Sequence, residues 1–163
     1  MAGTVSDSIV DGPGLRFTLF VQGCTFACSG CHNPDAWPMH GGTPTTPTEV
    51  FALLARNPLL TGVTFSGGEP FLQSIALQPL ARMVREAGLE LAVYTGFLFE
   101  ELLGDPDHRA LLELADTLID GPFVLAERDL RLKYKGSRNQ RILDVRASLA
   151  AGEAVLDVSE RWN

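Results

Sequence analysis

Three cysteines lie within eight residues, in Cys24-Thr25-Phe26-Ala27-Cys28-Ser29-Gly30-Cys31, and the chain has no others. An odd number of clustered thiols points to metal or cofactor chemistry rather than a disulfide framework. A loop rich in Gly, Ser, Asn and Pro is also no place for core cysteines. Three chemistries compete for the C-x3-C-x2-C spacing. Zinc needs a fourth ligand and usually shows two separated ligand pairs. His32 adjoins Cys31, which strains tetrahedral closure, and His40 or His108 would have to come from elsewhere. Cys28 to His32 also spells C-x-x-C-H, the haem c attachment pattern, which leaves Cys24 idle and generally requires export. An iron–sulfur cube normally takes four thiolates, so three leave one iron open to bind and reduce a small molecule.

A second group is Ser66-Gly67-Gly68-Glu69-Pro70. Paired glycines let backbone approach a ligand closely, and a carboxylate suits an ammonium group. By itself the same stretch reads equally as a turn. His32-Asn33 follows the last cysteine, and Thr95 and Asp120 each close an apolar run.

The elements that must carry these groups alternate. Residues 15–21, 62–66, 89–95 and 116–120 read as strands rich in aromatic and β-branched side chains, with 141–145 as a fifth. Thr46-Pro47-Thr48-Glu49 predicts a helix start, with Thr46 as N-cap, Pro47 in the first position and Glu49 closing a capping box. A second helix is expected from about Pro79 to a stop at Gly88, burying Leu80, Met83, Val84 and Ala87, and a third over roughly 107–115. Strand–helix alternation predicts a mostly parallel sheet with right-handed crossovers. A closed eight-unit barrel needs about 250 residues, so 163 residues allow at most an open or partial barrel, expected as one domain over 1–163. Loops after the strands' C-terminal ends share one rim, where ligands bind. Gly23–Pro34, Gly67–Pro70, Thr95-Gly96 and Asp120-Gly121-Pro122 should therefore converge.

The cysteine spacing and the GGE segment one unit later together resemble the radical S-adenosylmethionine (SAM) superfamily. The resemblance implies an α/β fold of the open parallel β/α-barrel type. It also implies a [4Fe–4S] cluster on Cys24, Cys28 and Cys31, and SAM bound to the open iron. Gly30, His32, Gly67, Gly68, Glu69, Thr95 and Asp120 are the SAM contacts it implies, with GGE at the methionine amino group and His32 near the adenine. The implied reaction is one-electron cleavage of SAM to methionine and a 5′-deoxyadenosyl radical that abstracts hydrogen. Val10-Asp11-Gly12-Pro13-Gly14-Leu15-Arg16-Phe17 and the CHNP after the cluster look like activators of glycyl radical enzymes. Leu118 to Phe123 and Gly136-Ser137-Arg138-Asn139-Gln140-Arg141 resemble the activating proteins of anaerobic (class III) ribonucleoside-triphosphate reductase. The resemblance spans roughly residues 8–150. It implies a large glycyl radical protein as substrate and a flavodoxin-like electron donor. Pyruvate formate-lyase activators are longer, and the ferredoxin-like insert of glycerol-dehydratase-type activators would need more cysteines. The short N-terminus implies an early strand that is missing or rearranged. The rival within the superfamily is an enzyme of a small molecule, such as a 7-carboxy-7-deazaguanine synthase, also short and carrying GGEP.

Composition limits the setting. With 45% apolar and 20% charged residues the chain is globular. Its 16 glycines and 10 prolines make loops numerous. No apolar run approaches the roughly 20 residues of a membrane span. Asp7, Asp11 and Arg16 interrupt any leader-like segment, so a cytoplasmic protein is expected. A net charge of −7 repels nucleic acid and anionic membrane. Residues 128–141 reverse that sign, with six Lys and Arg against Asp129. Either they form a solvated basic hairpin or they dock a reductase or an acidic reductant. Tyr134 is their one aromatic, too few for nucleic-acid stacking.

Overall fold

A computed structural model describes residues 1–162. Side-chain alternation decides its architecture. In β2 (Arg16–Val21), Phe17, Leu19 and Val21 alternate with Arg16, Thr18 and Phe20, so the two sets face opposite sides of the sheet. The parallel strands β3 (Gly62–Gly67), β4 (Glu90–Tyr94) and β5 (Thr117–Asp120) continue both sets in register. Leu19 lies beside Phe65, Phe65 beside Val93, and Leu118 beside Val93. This apolar ladder is the main core. Packed into it are Val50 and Leu54 of α1 (Pro47–Leu54), Leu80 and Val84 of α2 (Ser74–Glu86), and Phe99 and Leu102 of α3 (Phe99–Leu102). Leu111 and Leu112 of α4 (Pro106–Leu112) and Val145 of α5 (Val145–Ala151) complete it. Among the described residues the main core thus draws on all five α-helices and one side of the sheet, with a smaller cluster of Ala92, Ile119, Ile142 and Trp162 apart from it.

The opposite side carries Thr18, Thr64, Ala92 and Thr117 in one row, a small and polar surface. At its lower end Arg16 is wholly buried. Its Nε donates to Thr64 Oγ1 at 2.7 Å, one terminal nitrogen to Val63 O at 2.7 Å, and the other reaches Glu90 Oε2 at 3.3 Å. Its guanidinium also lies 5.8 Å from the centre of the buried Trp162 ring. Gly62 is required here, since a Cβ would stand 2.6 Å from an Arg16 nitrogen.

Six strands form the sheet, in the order β1-β2-β3-β4-β5-β6. The parallel interior matches expectation, but both edges are antiparallel. At one edge β1 (Gly3–Ser8) pairs with β2, and at the other β6 (Arg141–Asp144) pairs with β5. The sequence reading did not find β1, whose charged and hydroxyl side chains hide it from an apolar search. The fifth predicted strand, β6, returns from β5 without a crossover helix, which makes it antiparallel. The first helix begins as predicted: Thr46 Oγ1 accepts from Glu49 N at 3.2 Å, and Glu49 accepts from Thr46 N at 2.7 Å. The second starts at Ser74 rather than Pro79. Pro79 lies on the exposed side of α2, where the Ile75 carbonyl it leaves unbonded can reach water. The Gly88 stop holds, with φ +73° and Gly88 N donating to Arg85 O as Leu89 N donates to Val84 O. Leu80 and Val84 are buried as expected, but Ala87 is exposed because it caps the helix end.

Candidate functional site

The four predicted loops meet at the C-terminal ends of the parallel strands, through hydrogen bonds that explain their glycines. Gly68 N donates to Val21 O and Glu69 N to Gly23 O, both at 2.8 Å. A Cβ on Gly68 would lie 2.3 Å from Gly23 O, and one on Gly67, at φ +99°, 2.5 Å from Val21 N. The glycine pair therefore clamps the root of the cysteine loop directly to the end of β3. Phe26 of the cysteine loop fills the place a Cβ would take on Gly96, 2.7 Å away, and stacks edge-on against Phe97 at 4.9 Å. Gly30, at φ +78°, makes room for Leu125 and Phe123, and Gly136 receives the other side of Phe123.

Glu69 carries the most demanding geometry. It is 1% exposed, and its carboxylate accepts from Phe71 N at 2.9 Å, Thr95 Oγ1 at 2.8 Å and Gly96 N at 2.8 Å. Burial pushes its carboxyl up to about 7, against the pull of those three donors. Thr95 Oγ1 in turn accepts from Phe97 N. Asp120 is equally enclosed: it accepts from Phe99 N at 2.9 Å and from Arg141 at 2.9 and 2.5 Å, while Arg141 also holds Glu100. Glu69, Thr95 and Asp120, which the resemblance implies as SAM contacts, also hold the loops through these internal partners.

Cys24, Cys28 and Cys31 are half-buried free thiols. Cys24 N donates to Trp37 O and Cys31 N to Cys28 O, so the loop backbone is fixed, and Cys31 Sγ accepts from Asn33 N at 3.4 Å. Burial raises the Cys24 thiol, which a bound metal must therefore deprotonate. Among the described residues no three His, Cys, Asp or Glu side chains are grouped to hold a metal ion. A single zinc would draw its sulfurs to about 2.3 Å from one centre. A cube instead takes each thiolate on a separate iron, and three half-buried thiols on one fixed loop fit that donor set.

Cys31, His32 and Asn33 open on a cavity of about 520 Å³ that Ser66, Tyr94 and Phe123 also line. His32 is exposed, its ring 6.3 Å from that of Phe123. Tyr94 was missed from the sequence. It shares the face of Ala92 at the end of β4, and its hydroxyl donates to Tyr134 O at 2.8 Å. A polar aromatic ending an apolar strand was the available signal. The 136–141 block clasps the rim. Ser137 Oγ accepts from Val124 N, Asn139 donates to Pro122 O, and Gln140 donates to Gly121 O while accepting from Gly136 N.

The comparisons with known proteins agree with this geometry. A family described as a 4Fe–4S single cluster domain matches residues 10–143. The anaerobic ribonucleoside-triphosphate reductase-activating protein of Haemophilus influenzae is 36% identical over 144 residues, 82% of this chain and 90% of that one. Its namesake in Vibrio cholerae is 35% identical over 142 residues, with the same coverage. The pyruvate formate-lyase-activating enzyme of Clostridium pasteurianum is 40% identical over 125 residues, 71% of this chain and 52% of that one. The chain belongs to the 4Fe–4S single cluster domain family, within the group of anaerobic ribonucleoside-triphosphate reductase-activating proteins.

Proposed function

We propose that the chain is a radical SAM activase that installs a glycyl radical on an anaerobic ribonucleoside-triphosphate reductase. The observation that carries this is the loop of three free thiols, clamped by Gly67-Gly68 and bordering through Cys31 the cavity at the strands' C-terminal ends. When bound, the cluster supplies the electron that cleaves SAM to methionine and the 5′-deoxyadenosyl radical, which takes a hydrogen atom from the partner's glycine. Cys24, Cys28 and Cys31 would hold three irons. The backbone at Gly67 and Gly68 offers the methionine end its contacts, and Gly30 and His32 border the adenine side. Glu69, Thr95 and Asp120 fix this backbone and, as the resemblance implies, border the bound SAM. Hydrogen-atom transfer needs proximity and exclusion of water rather than a general base, and Tyr94 and Phe123 supply apolar wall to the cavity.

The finer expectations belong to the same reading. The helices' one-sided packing and the polar inner face support a sheet curved as an open partial barrel. One continuous sheet supports a single domain over 1–163. Among the described residues no helix is long and apolar enough to cross a membrane, which is compatible with a cytoplasmic enzyme. A flavodoxin-like donor and the lack of a nucleic-acid partner rest on the resemblance and the acidic net charge. The identity to the Clostridium pasteurianum enzyme favours a second reading, activation of pyruvate formate-lyase.

Anaerobic reconstitution with iron and sulfide, dithionite reduction and EPR with and without SAM test the proposal. A cluster signal altered by SAM, with 5′-deoxyadenosine formed, is expected. Bound zinc, or a cluster indifferent to SAM, overturns it. Adding each candidate partner then separates the two activase readings by which one acquires a glycyl radical.

A further inference from the structure

The two halves of the thiol loop are held differently. Backbone bonds tie the Cys24 half to other segments: Gly23 N donates to Ala36 O, Cys24 N to Trp37 O, and Glu69 N to Gly23 O. At the other half Cys31 N donates to Cys28 O, which closes the loop on itself. Between the halves Ala27 stands at φ +47°, a conformation that an L side chain keeps only where its surroundings enforce it. From outside the loop, Leu125 and Phe123 press on the Cys28–Cys31 half. A Cβ on Gly30 would lie 2.9 Å from Leu125 Cδ1 and 3.4 Å from Phe123 Cε1.

Across the same ring stands Gly136, where a Cβ would lie 2.9 Å from Phe123 Cδ2. Gly136 does not adopt a positive φ, so its missing side chain serves room for the ring. The reaction gives the 136–141 block no task, yet its side chains grip the backbone on both sides of Phe123. Asn139 Nδ2 donates to Pro122 O at 2.8 Å, and Ser137 Oγ accepts from Val124 N at 3.2 Å. The confined ring also lines the cofactor cavity beside Cys31 and His32.

We infer that Phe123 is a positioning wedge: the 136–141 block holds it against Gly30, and it fixes Cys28, Cys31 and His32 in the arrangement that takes the cluster and SAM. What is bound there rests on the activase reading; what is held rests on the packing. A ring confined between two glycine backbones cannot shift without moving one of them. Its loss should free the Cys28–Cys31 half and leave the Cys24 half in place, since that half has its own bonds.

Alkylation of the metal-free full chain by iodoacetamide, with each thiol followed by mass spectrometry, reads this directly. In Phe123→Ala, Cys28 and Cys31 should react about tenfold faster, with Cys24 within about twofold of the unmodified protein. Gly136→Ala crowds the ring from the far side and should also speed Cys28 and Cys31. Combining it with Phe123→Leu, which replaces the ring by a smaller side chain, should return both rates to within about twofold. In reconstituted protein the SAM concentration that gives half of the EPR change should rise about tenfold in Phe123→Ala. Unchanged rates, equal acceleration at all three thiols, or a double variant no better than Gly136→Ala overturns the wedge. If Phe123→Ala does not fold, Gly136→Ala and the double variant decide alone. Selective thiol changes in a protein whose cluster ignores SAM would sink the activase reading and leave the wedge standing.

Discussion

The sheet has a cavity at each end of its strands, and the larger is not the one that the cysteine loop borders. At the lower end, about 750 Å³ is lined by Glu90, Asp116, Asp144, Arg146 and Arg161. Its carboxylates are engaged: Glu90 with Arg16 and Arg161, Asp116 with Leu91 N, and Asp144 with Ala147 N. At the upper end the smaller cavity is bordered by Cys31 of the thiol loop, whose sulfur is held by nothing stronger than a 3.4 Å contact from Asn33 N. The lesson is that reactive groups left open, rather than volume, distinguish a place that binds from one that braces. The two ends should therefore fail differently when mutated.

The sharpest contrast comes from Cys28→Ser against Arg16→Met. Cys28→Ser should abolish cluster assembly and SAM cleavage, read as iron and sulfide content and 5′-deoxyadenosine. It should leave urea unfolding of the metal-free protein within about 0.5 kcal/mol, because a half-buried loop thiol contributes little packing. Arg16→Met should do the reverse. Removing a wholly buried cation leaves the Val63 carbonyl and Thr64 Oγ1 without its donors, while Glu90 keeps Arg161, so unfolding should become easier by about 2–4 kcal/mol. Protein that remains folded should still assemble a cluster. A stable Arg16→Met, or a Cys28→Ser that unfolds, would erase the division.

Glu69 lies at the upper end yet braces, and pH exposes that. Its carboxyl is raised from 4.5 to about 7 in the folded state. The folded protein then holds this proton more tightly than the unfolded chain does, so the contribution is complete below about pH 4.5. It is lost as pH rises through about 7, by up to roughly 3 kcal/mol. Glu69→Gln removes that pH dependence. It also places an amide NH₂ against Gly96 N–H, or else against the Phe71 and Thr95 donors, at a cost of about 1–3 kcal/mol. Chemical denaturation from pH 5 to pH 8 should show the stability gap between the two proteins narrowing as pH rises. A constant gap would mean that Glu69 does not titrate on folding.

How much could be read in advance depends on the range of the forces involved. Thr46, Pro47 and Glu49 cap a helix through contacts within three residues, so sequence alone located it. The cysteine loop and its GGE neighbour were legible because their residue types have few structural uses at that spacing. The antiparallel sense of β6 depends on the loop that connects it to β5, and β1 is a strand only because β2 offers it partners. Pro79 is tolerated in α2 because it faces water. The bracing contacts of Glu69, Thr95 and Asp120 were not legible, since they join residues distant in sequence, as Glu69 to Gly96 and Asp120 to Arg141.

The smallest effect should come from Asp144, which lines the lower cavity and caps α5. Its Oδ1 accepts from Ala147 N at 2.8 Å, and no other side chain at this helix start can replace it. Asp144→Ala should cost about 1 kcal/mol, as loss of an N-cap does, with cluster content and SAM cleavage unchanged. Asp144→Ser should recover most of the stability, because a hydroxyl accepts from the same amide. If Asp144→Ala instead lowers SAM cleavage while Asp144→Ser restores stability alone, the lower cavity has a part in the chemistry. The separation of a binding end from a bracing end would then have to be abandoned.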